Sequence, residues 1–218
     1  LMLHIDVSIA LGLLNGFFHV RFRIPSFIVT ICTMYLIRGL CAYLTTNAPA
    51  AAIPTITRFN EDWLKLLITG GVLVLVFLTL HFTKLGTSLK ALGAGEQAAR
   101  FSGIRTDLSK LFVFAAAGAI TGLAAFINVI KVGSITSTAG NQFETQILIA
   151  LVLGGMPISG GAKASFICVP VGTLISLVLN NGLVMVGLDT AMQQLLKGLI
   201  FLAVVALTID RKALQTIK

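Results

Sequence analysis

Apolar residues along this chain gather into long runs, separated by short polar passages, and most of the runs have the length that crosses a lipid bilayer. Residues 27–44, 63–82, 108–130, 164–186 and 191–209 are such runs, close to the roughly 20 residues that a transmembrane helix needs. Residues 7–20 form a shorter run closed by Arg21 and Arg23, after which Pro25 breaks the path. Residues 147–153 are too few to cross alone. Extended back to Phe143 and forward to Ile158, they fit a tilted or broken helix, which a membrane tolerates where neighbours satisfy the freed backbone groups. The pattern predicts an all-α, polytopic membrane protein of about six to seven transmembrane or re-entrant helices in one domain, residues 1–218. The chain starts at Leu1, with no basic segment or cleavage site that would mark a signal peptide, and the expectation is that N-terminal helices are missing.

Residues 84–107 are the one long polar passage between two spans. Within it, Glu96-Gln97-Ala98-Ala99-Arg100-Phe101-Ser102 predicts a short helix. Gly95 can start it, and Glu96 stands in the first turn, where the helix dipole favours a negative charge. Gly103 supplies the left-handed residue of a C-cap, and Ile104 the apolar contact that accompanies a Schellman ending. Ala98 and Ala99 predict a smooth face that another surface can approach closely, with Arg100 and Phe101 as a charge and an aromatic anchor. The passage reads as a docking element.

Composition agrees with a membrane address. The chain is 56% hydrophobic and 11% charged, against about 25% charged in soluble domains, and its mean hydropathy is +0.97. The net charge of +8 does not point to nucleic acid, because the basic residues are dispersed at span ends and form no stripe with interleaved aromatics. They set topology instead. Arg21, Arg23, Lys84, Lys90, Arg100, Arg105, Lys163, Arg211, Lys212 and Lys218 fall on one side, while the other holds Arg58 and Lys131 against five acids. The positive-inside rule then makes residues 84–107 and the C-terminus cytoplasmic.

Several local patterns are weaker than they look. Gly93-Ala94-Gly95-Glu96-Gln97-Ala98 fits a dinucleotide fingerprint, but residues 85–92 are no buried strand and no βαβ unit surrounds them. His4, His19 and His81 stand apart, and Cys32, Cys41 and Cys168 fall in apolar runs without ligand spacing, so no metal site is expected. No GxxxxGK[ST] occurs, so an ATP-driven process needs its ATPase on another chain. Gly118 and Gly122 form a GxxxG that predicts close helix packing. Polar residues at membrane depth are costly unless they face protein or water. Asn128, Asn180, Asn181, Gln193 and Gln194 are therefore candidates for a solvated path, beside Asn15, Arg38 and Lys197; Asn180-Asn181-Gly182 is equally open to reading as a helix break.

Taken together, Asn15-Gly16, Ile24-Pro25-Ser26-Phe27-Ile28-Val29-Thr30, Arg38-Gly39, the stretch from Gly95 to Ile104, Ala139-Gly140, Glu144, Val152-Leu153-Gly154-Gly155, Gly160-Gly161 and Asn180-Asn181-Gly182-Leu183 resemble the permease subunits of ribose-type ABC importers. The resemblance runs from near residue 12 to near residue 210 and departs from the pattern at Gln146 and Met156-Pro157. It implies an ABC importer permease fold and a bacterial inner-membrane location. It further implies a second permease copy or paralogue, an extracytoplasmic sugar-binding protein, and a separate ATPase that carries ATP and Mg²⁺. No cofactor and no catalytic residue is expected on this chain. The cargo implied is a monosaccharide moved by alternating access, with branched-chain amino-acid or nucleoside ABC permeases and an ATP-independent secondary transporter as the competing readings. Glu96, Gln97, Ala98, Ala99, Arg100, Phe101 and Gly103 become the residues expected to meet the ATPase.

Overall fold

The computed structural model describes residues 2–45, 50–51, 61–135, 140–156, 161 and 165–208. In chain order these form α1 (Met2–Phe22), α2 (Ser26–Thr45), β1 (Ala50–Ala51), α3 (Asp62–Phe82), α4 (Lys84–Ala94), α5 (Glu96–Phe101), α6 (Thr106–Val132), β2 (Ser134–Ile135), α7 (Phe143–Leu153), α8 (Cys168–Met185) and α9 (Thr190–Thr208). The strands are a two-residue antiparallel pairing, Ala50 opposite Ile135 and Ala51 opposite Ser134. Otherwise the described chain is helical. Five helices, α1, α2, α3, α6 and α8, are long and apolar enough to cross a membrane, and α7 and α9 carry shorter apolar stretches. This is an all-α, multi-pass membrane protein. The predicted tail with Arg211, Lys212 and Lys218, most of the loop between residues 45 and 62, and residues 157–160 lie outside the described residues.

The chain divides into two compact units, Leu1–Ala139 and Gly140–Lys218. In the first, the central packing is α1 against α6. The apolar run predicted over residues 7–20 is short, with His4 and Asp6 ahead of it and Ser8 within it, yet α1 reaches back to Met2 and spans 21 residues. Two of those polar residues face a neighbour. A methyl group at Gly122 would lie 3.0 Å from Ser8 Oγ and 3.1 Å from the His4 carbonyl, and one at Gly118 would strike the Ser8 carbonyl. The His4 ring meets Phe126 edge-on with centroids 6.1 Å apart. From the other side, Gly12 stands against the Phe114 carbonyl and Gly16 against the Leu111 and Phe114 side chains. Each helix thus brings a GxxxG to the contact, and the small residues let the backbones approach where lipid offers no hydrophobic drive.

Helix α3 buries none of its residues, and its large side chains, Trp63, Leu66, Leu67 and Leu75 among them, are exposed as a lipid-facing surface requires. Thr83, extended at φ −108° and ψ 157°, separates α3 from α4. The Thr83 hydroxyl donates back to the Thr79 carbonyl.

In the second unit α7 packs on α8 by backbone approach at two glycines, Gly154 against the Cys168 carbonyl and Gly172 against the Ala150 carbonyl. Ile149, Ala150 and Val152 are buried there. Eleven residues rise only about 16 Å, near half the thickness of a bilayer core, so α7 does not cross alone. The helix ends at Leu153 and does not continue through residues 154–156, while residues 157 and 158 of the predicted extension lie outside the described residues. Gly155, at φ 82°, closes the helix as its N–H donates to the Val152 carbonyl at 2.9 Å and the Met156 N–H to the Leu151 carbonyl at 3.0 Å. Nor is Asn180-Asn181-Gly182 a break: α8 runs through it to Met185. A helical glycine costs only about 1 kcal/mol, and the Gly182 carbonyl accepts the Val186 N–H at 3.1 Å.

Candidate docking site on the polar loop

The polar passage between α3 and α6 is more ordered than a loop with one helix. Residues 84–94 form α4, which the sequence reading missed because the glycines and polar residues hid the spacing. The signal is Leu85, Leu89 and Leu92, an i, i+4, i+7 stripe. Gly86 lets α4 fold against the backbone of Leu80 at the end of α3. Helix α4 also touches α5 and α6.

Helix α5 follows after Gly95 and has six residues, Glu96 to Phe101, one fewer than predicted. Its ending has the expected geometry. Gly103 sits in the left-handed region at φ 78°, the Gly103 N–H donates to the Arg100 carbonyl and the Ile104 N–H to the Ala99 carbonyl, both at 3.1 Å. That pair of bonds is a Schellman motif. Ser102 Oγ adds a bond to the Ala98 carbonyl at 3.0 Å.

One end of α5 is tied down. Lys110 Nζ, from the first turns of α6, donates to Glu96 Oε1. This bond holds the Glu96 carboxyl below the usual carboxylate range, against a smaller opposing effect of burial and with minor help from the nearby His19 and Arg100. The Glu96 side chain remains 54% exposed, so the pair is solvent-screened and weak as a stability element.

The face that α5 offers differs from the prediction at one residue. Ala99 is 1% exposed; it is the contact by which α5 sits on its own chain, and it is not available to a partner. A helix this short cannot hold its place without burying something, and the small alanine side chain lets its backbone seat closely. Gln97, Ala98 and Arg100 are exposed, and Phe101 is 92% exposed. The ring stands in solvent at the end of a capped helix, buried by none of the described residues.

The candidate path residues are placed differently. Asn128 is exposed on α6, about 33 Å along the helix from Thr106 and about 6 Å from its far end. It is near a helix end and not at mid-membrane. In the second unit, Asn180 and Asn181 near the end of α8 and Gln193 and Gln194 in the first turn of α9 gather at one end. Gln193 is used locally, its Nε2 donating to the Leu188 carbonyl at 2.8 Å. Gln194 Nε2 donates to Gln142 Oε1 at 3.1 Å, linking α9 to the residue that caps the start of α7. The Asn180 Oδ1 is buried without a hydrogen-bond partner among the described residues, as is the Asn15 Oδ1. Unsatisfied amide oxygens of this kind are costly in a membrane protein.

The described helices thus combine membrane spans with a short helix that is capped, tied to α6 and exposed on one face. The chain belongs to the family described as branched-chain amino acid transport system / permease component, which it matches over residues 1–205. It is similar to the ribose import permease protein RbsC of Escherichia coli (strain K12), 32% identical with 93% of this chain and 65% of the relative covered. It is also similar to RbsC of Bacillus subtilis (strain 168), 32% identical over 91% of this chain and 63% of the relative. The galactose/methyl galactoside import permease protein MglC of Escherichia coli (strain K12) is 26% identical, with 92% of this chain and 63% of the relative covered. The chain spans about 65% of the length of the curated relatives it matches. No solved structure matches it.

Proposed function

We propose that this chain is the membrane-spanning part of an ABC importer permease that carries a monosaccharide across the bacterial inner membrane, driven by a separate ATPase. The observation that carries the reading is α5: a capped helix, seated through Ala99 and tied through Glu96, with Phe101 held out into solvent. The names of the relatives, import permeases for ribose and for galactose or methyl galactoside, support a sugar as cargo. The ATPase, with its ATP and Mg²⁺, docks on Gln97, Ala98, Arg100 and Phe101 from the cytoplasm, and an extracytoplasmic binding protein delivers the sugar to a pair of permease copies or paralogues. The orientation rests on the basic bias of residues 84–107.

The mechanism is alternating access. Displacement of α5 by its ATPase is passed on through α4, which touches both α3 and α6, so that two spans move as packed bodies between discrete arrangements. The description of the family favours a second cargo, a branched-chain amino acid. Reconstitution of the full permease with its ATPase and binding protein decides between them. ATP-dependent uptake of labelled ribose or galactose, with none of leucine, supports the sugar reading; the reverse result overturns it.

A further inference from the structure

Helix α6 meets α1 along the face that carries Gly118 and Gly122. At about 100° per residue, Phe112, Ala116, Ile120 and Leu123 fall on the opposite face. Helices α3 and α6 make little direct contact there and are joined through α4. Between them runs an open groove of about 430 Å³, walled by Leu75 and Thr79 of α3 and by Ala116 and Ile120 of α6, and floored by Leu85 and Leu89 of α4. The floor is fixed in place, because a Cβ at Gly86 would strike the Leu80 backbone.

The walls say what can enter. Every lining side chain is apolar except that of Thr79, whose hydroxyl donates to the Val76 carbonyl at 2.9 Å. The groove asks nothing polar of its occupant, and a sugar would lose its hydration there without replacement. A whole transmembrane helix is too large. Along the stretch of α6 from Phe112 to Leu123, about 16 Å, a helix about 10 Å across fills roughly 1300 Å³, about three times the volume of the groove. A flexible hydrocarbon chain fits, and the volume lies within the roughly 300–1,000 Å³ of ligand sites. The end of the groove at α4 is basic. Helix α4 turns Leu85 and Leu89 inward and Lys84, Thr87 and Lys90 outward, an amphipathic pattern suited to the headgroup level of a bilayer. Lys84 and Lys90 are exposed, among the described residues neither forms an ion pair, and no carboxylate lines the groove.

We infer that this groove holds one acyl chain of an anionic phospholipid, laid between α3 and α6 with its headgroup against Lys84 and Lys90. The chain keeps the two spans apart on either side of α4. It touches none of the residues that α5 offers to the ATPase, so the inference stands whichever cargo the permease carries and whatever docks on α5.

The test titrates the full-length permease, in detergent, with phosphatidylglycerol that carries a diazirine midway along one acyl chain, irradiates it, and locates the adducts by peptide mass spectrometry. The expected adducts fall on residues 72–80 and 112–123 and saturate at one lipid per permease chain. Ala116→Phe fills the groove and should cut them about tenfold. Val74→Phe, exposed on α3 and outside the groove lining, should leave them unchanged. Lys84→Gln with Lys90→Gln should weaken binding about fivefold for each lysine lost, and binding that ignores both losses overturns the inference. Adducts spread over α2 and around Val74 in proportion to exposure, without saturation, mean loose surrounding lipid and overturn it from the unsubstituted chain alone, even should a variant fail to fold. A photo-crosslinking amino acid in place of Val113 that captures a protein chain places a protein in the groove, and the inference is then wrong.

Discussion

Substituting Gly103 isolates one physical effect. The residue sits at φ 78° and a Cβ built there meets nothing within 4 Å, so a side chain meets no steric clash and only the conformation is penalised. A left-handed residue with a Cβ costs roughly 1–2 kcal/mol, and β-branched valine lies at the upper end because its χ1 freedom is also restricted. If the chain escapes that strain by leaving the left-handed region, it gives up the bonds from Gly103 to Arg100 and from Ile104 to Ala99, each worth about 0.5–1.5 kcal/mol. The chain takes the cheaper of the two routes, so the local loss for Gly103→Val is about 1–2 kcal/mol, which corresponds to roughly 5- to 30-fold less protection against amide hydrogen exchange. The assay is hydrogen exchange of the peptide covering residues 96–104 in the full-length permease. The expected order of damage is Val, then Ala, then Asn, since asparagine tolerates the left-handed region best of the three. Exchange in Gly103→Val that matches the parent, or damage by Asn equal to that by Val, would refute the argument that the backbone conformation at Gly103 sets the end of α5.

Three further outcomes follow from the packing. Ala99→Arg should lower the thermal stability of the purified permease, because Ala99 is buried on its own chain, whereas Ala98→Arg should leave the melting temperature unchanged and abolish co-purification of the ATPase. Gly118→Val should destabilise the α1–α6 pair by about 1–3 kcal/mol or more, seen as loss of detergent-solubilised folded protein, since its Cβ would strike the Ser8 backbone; Gly39→Val, where nothing stands within 4 Å, should not. Glu96 has a lowered pKa, so its bond to Lys110 stabilises the folded chain fully above the unfolded carboxylate value near 4.5 and is lost as pH falls through the folded value. Exchange in α5 should therefore rise on acidification below about pH 4.5 in the parent but not in Glu96→Gln, by an effect under about 1 kcal/mol because the pair is exposed.

The spans and the short helix were legible because each rests on local chemistry. Apolar run length marks α2, α3 and α6 nearly to their ends, and Gly95 and Gly103 bracket α5 through the preferences of helix caps. What the sequence hid depends on neighbours. The first apolar run was drawn only from residue 7 because the partner that the start of α1 packs against, through His4 and Ser8, is more than a hundred residues away on α6. Only one GxxxG stood out, as Gly12 and Gly16 gain meaning from Phe114 facing them. Ala99 looked like surface because a six-residue helix carries too little periodicity to say which side is inward. Asn128 was counted among residues at membrane depth because it falls inside an apolar run, although both the run 108–130 and the helix Thr106–Val132 put it within about one turn of an end. The same limits apply to Gln193, whose bond to the Leu188 carbonyl is a capping contact that no spacing rule separates from a path-lining amide.

The central claim is that α5 is where a separate ATPase engages this chain, through the residues it exposes. A photo-crosslinking amino acid in place of Phe101 tests it most directly, in cells that express the complete importer. The account predicts an ultraviolet-dependent adduct between the permease and the ATPase from position 101, and none when the same group replaces Ala99. Adducts absent from position 101 in a transporter that still takes up its substrate, with the ATPase captured from elsewhere on the chain, would contradict it.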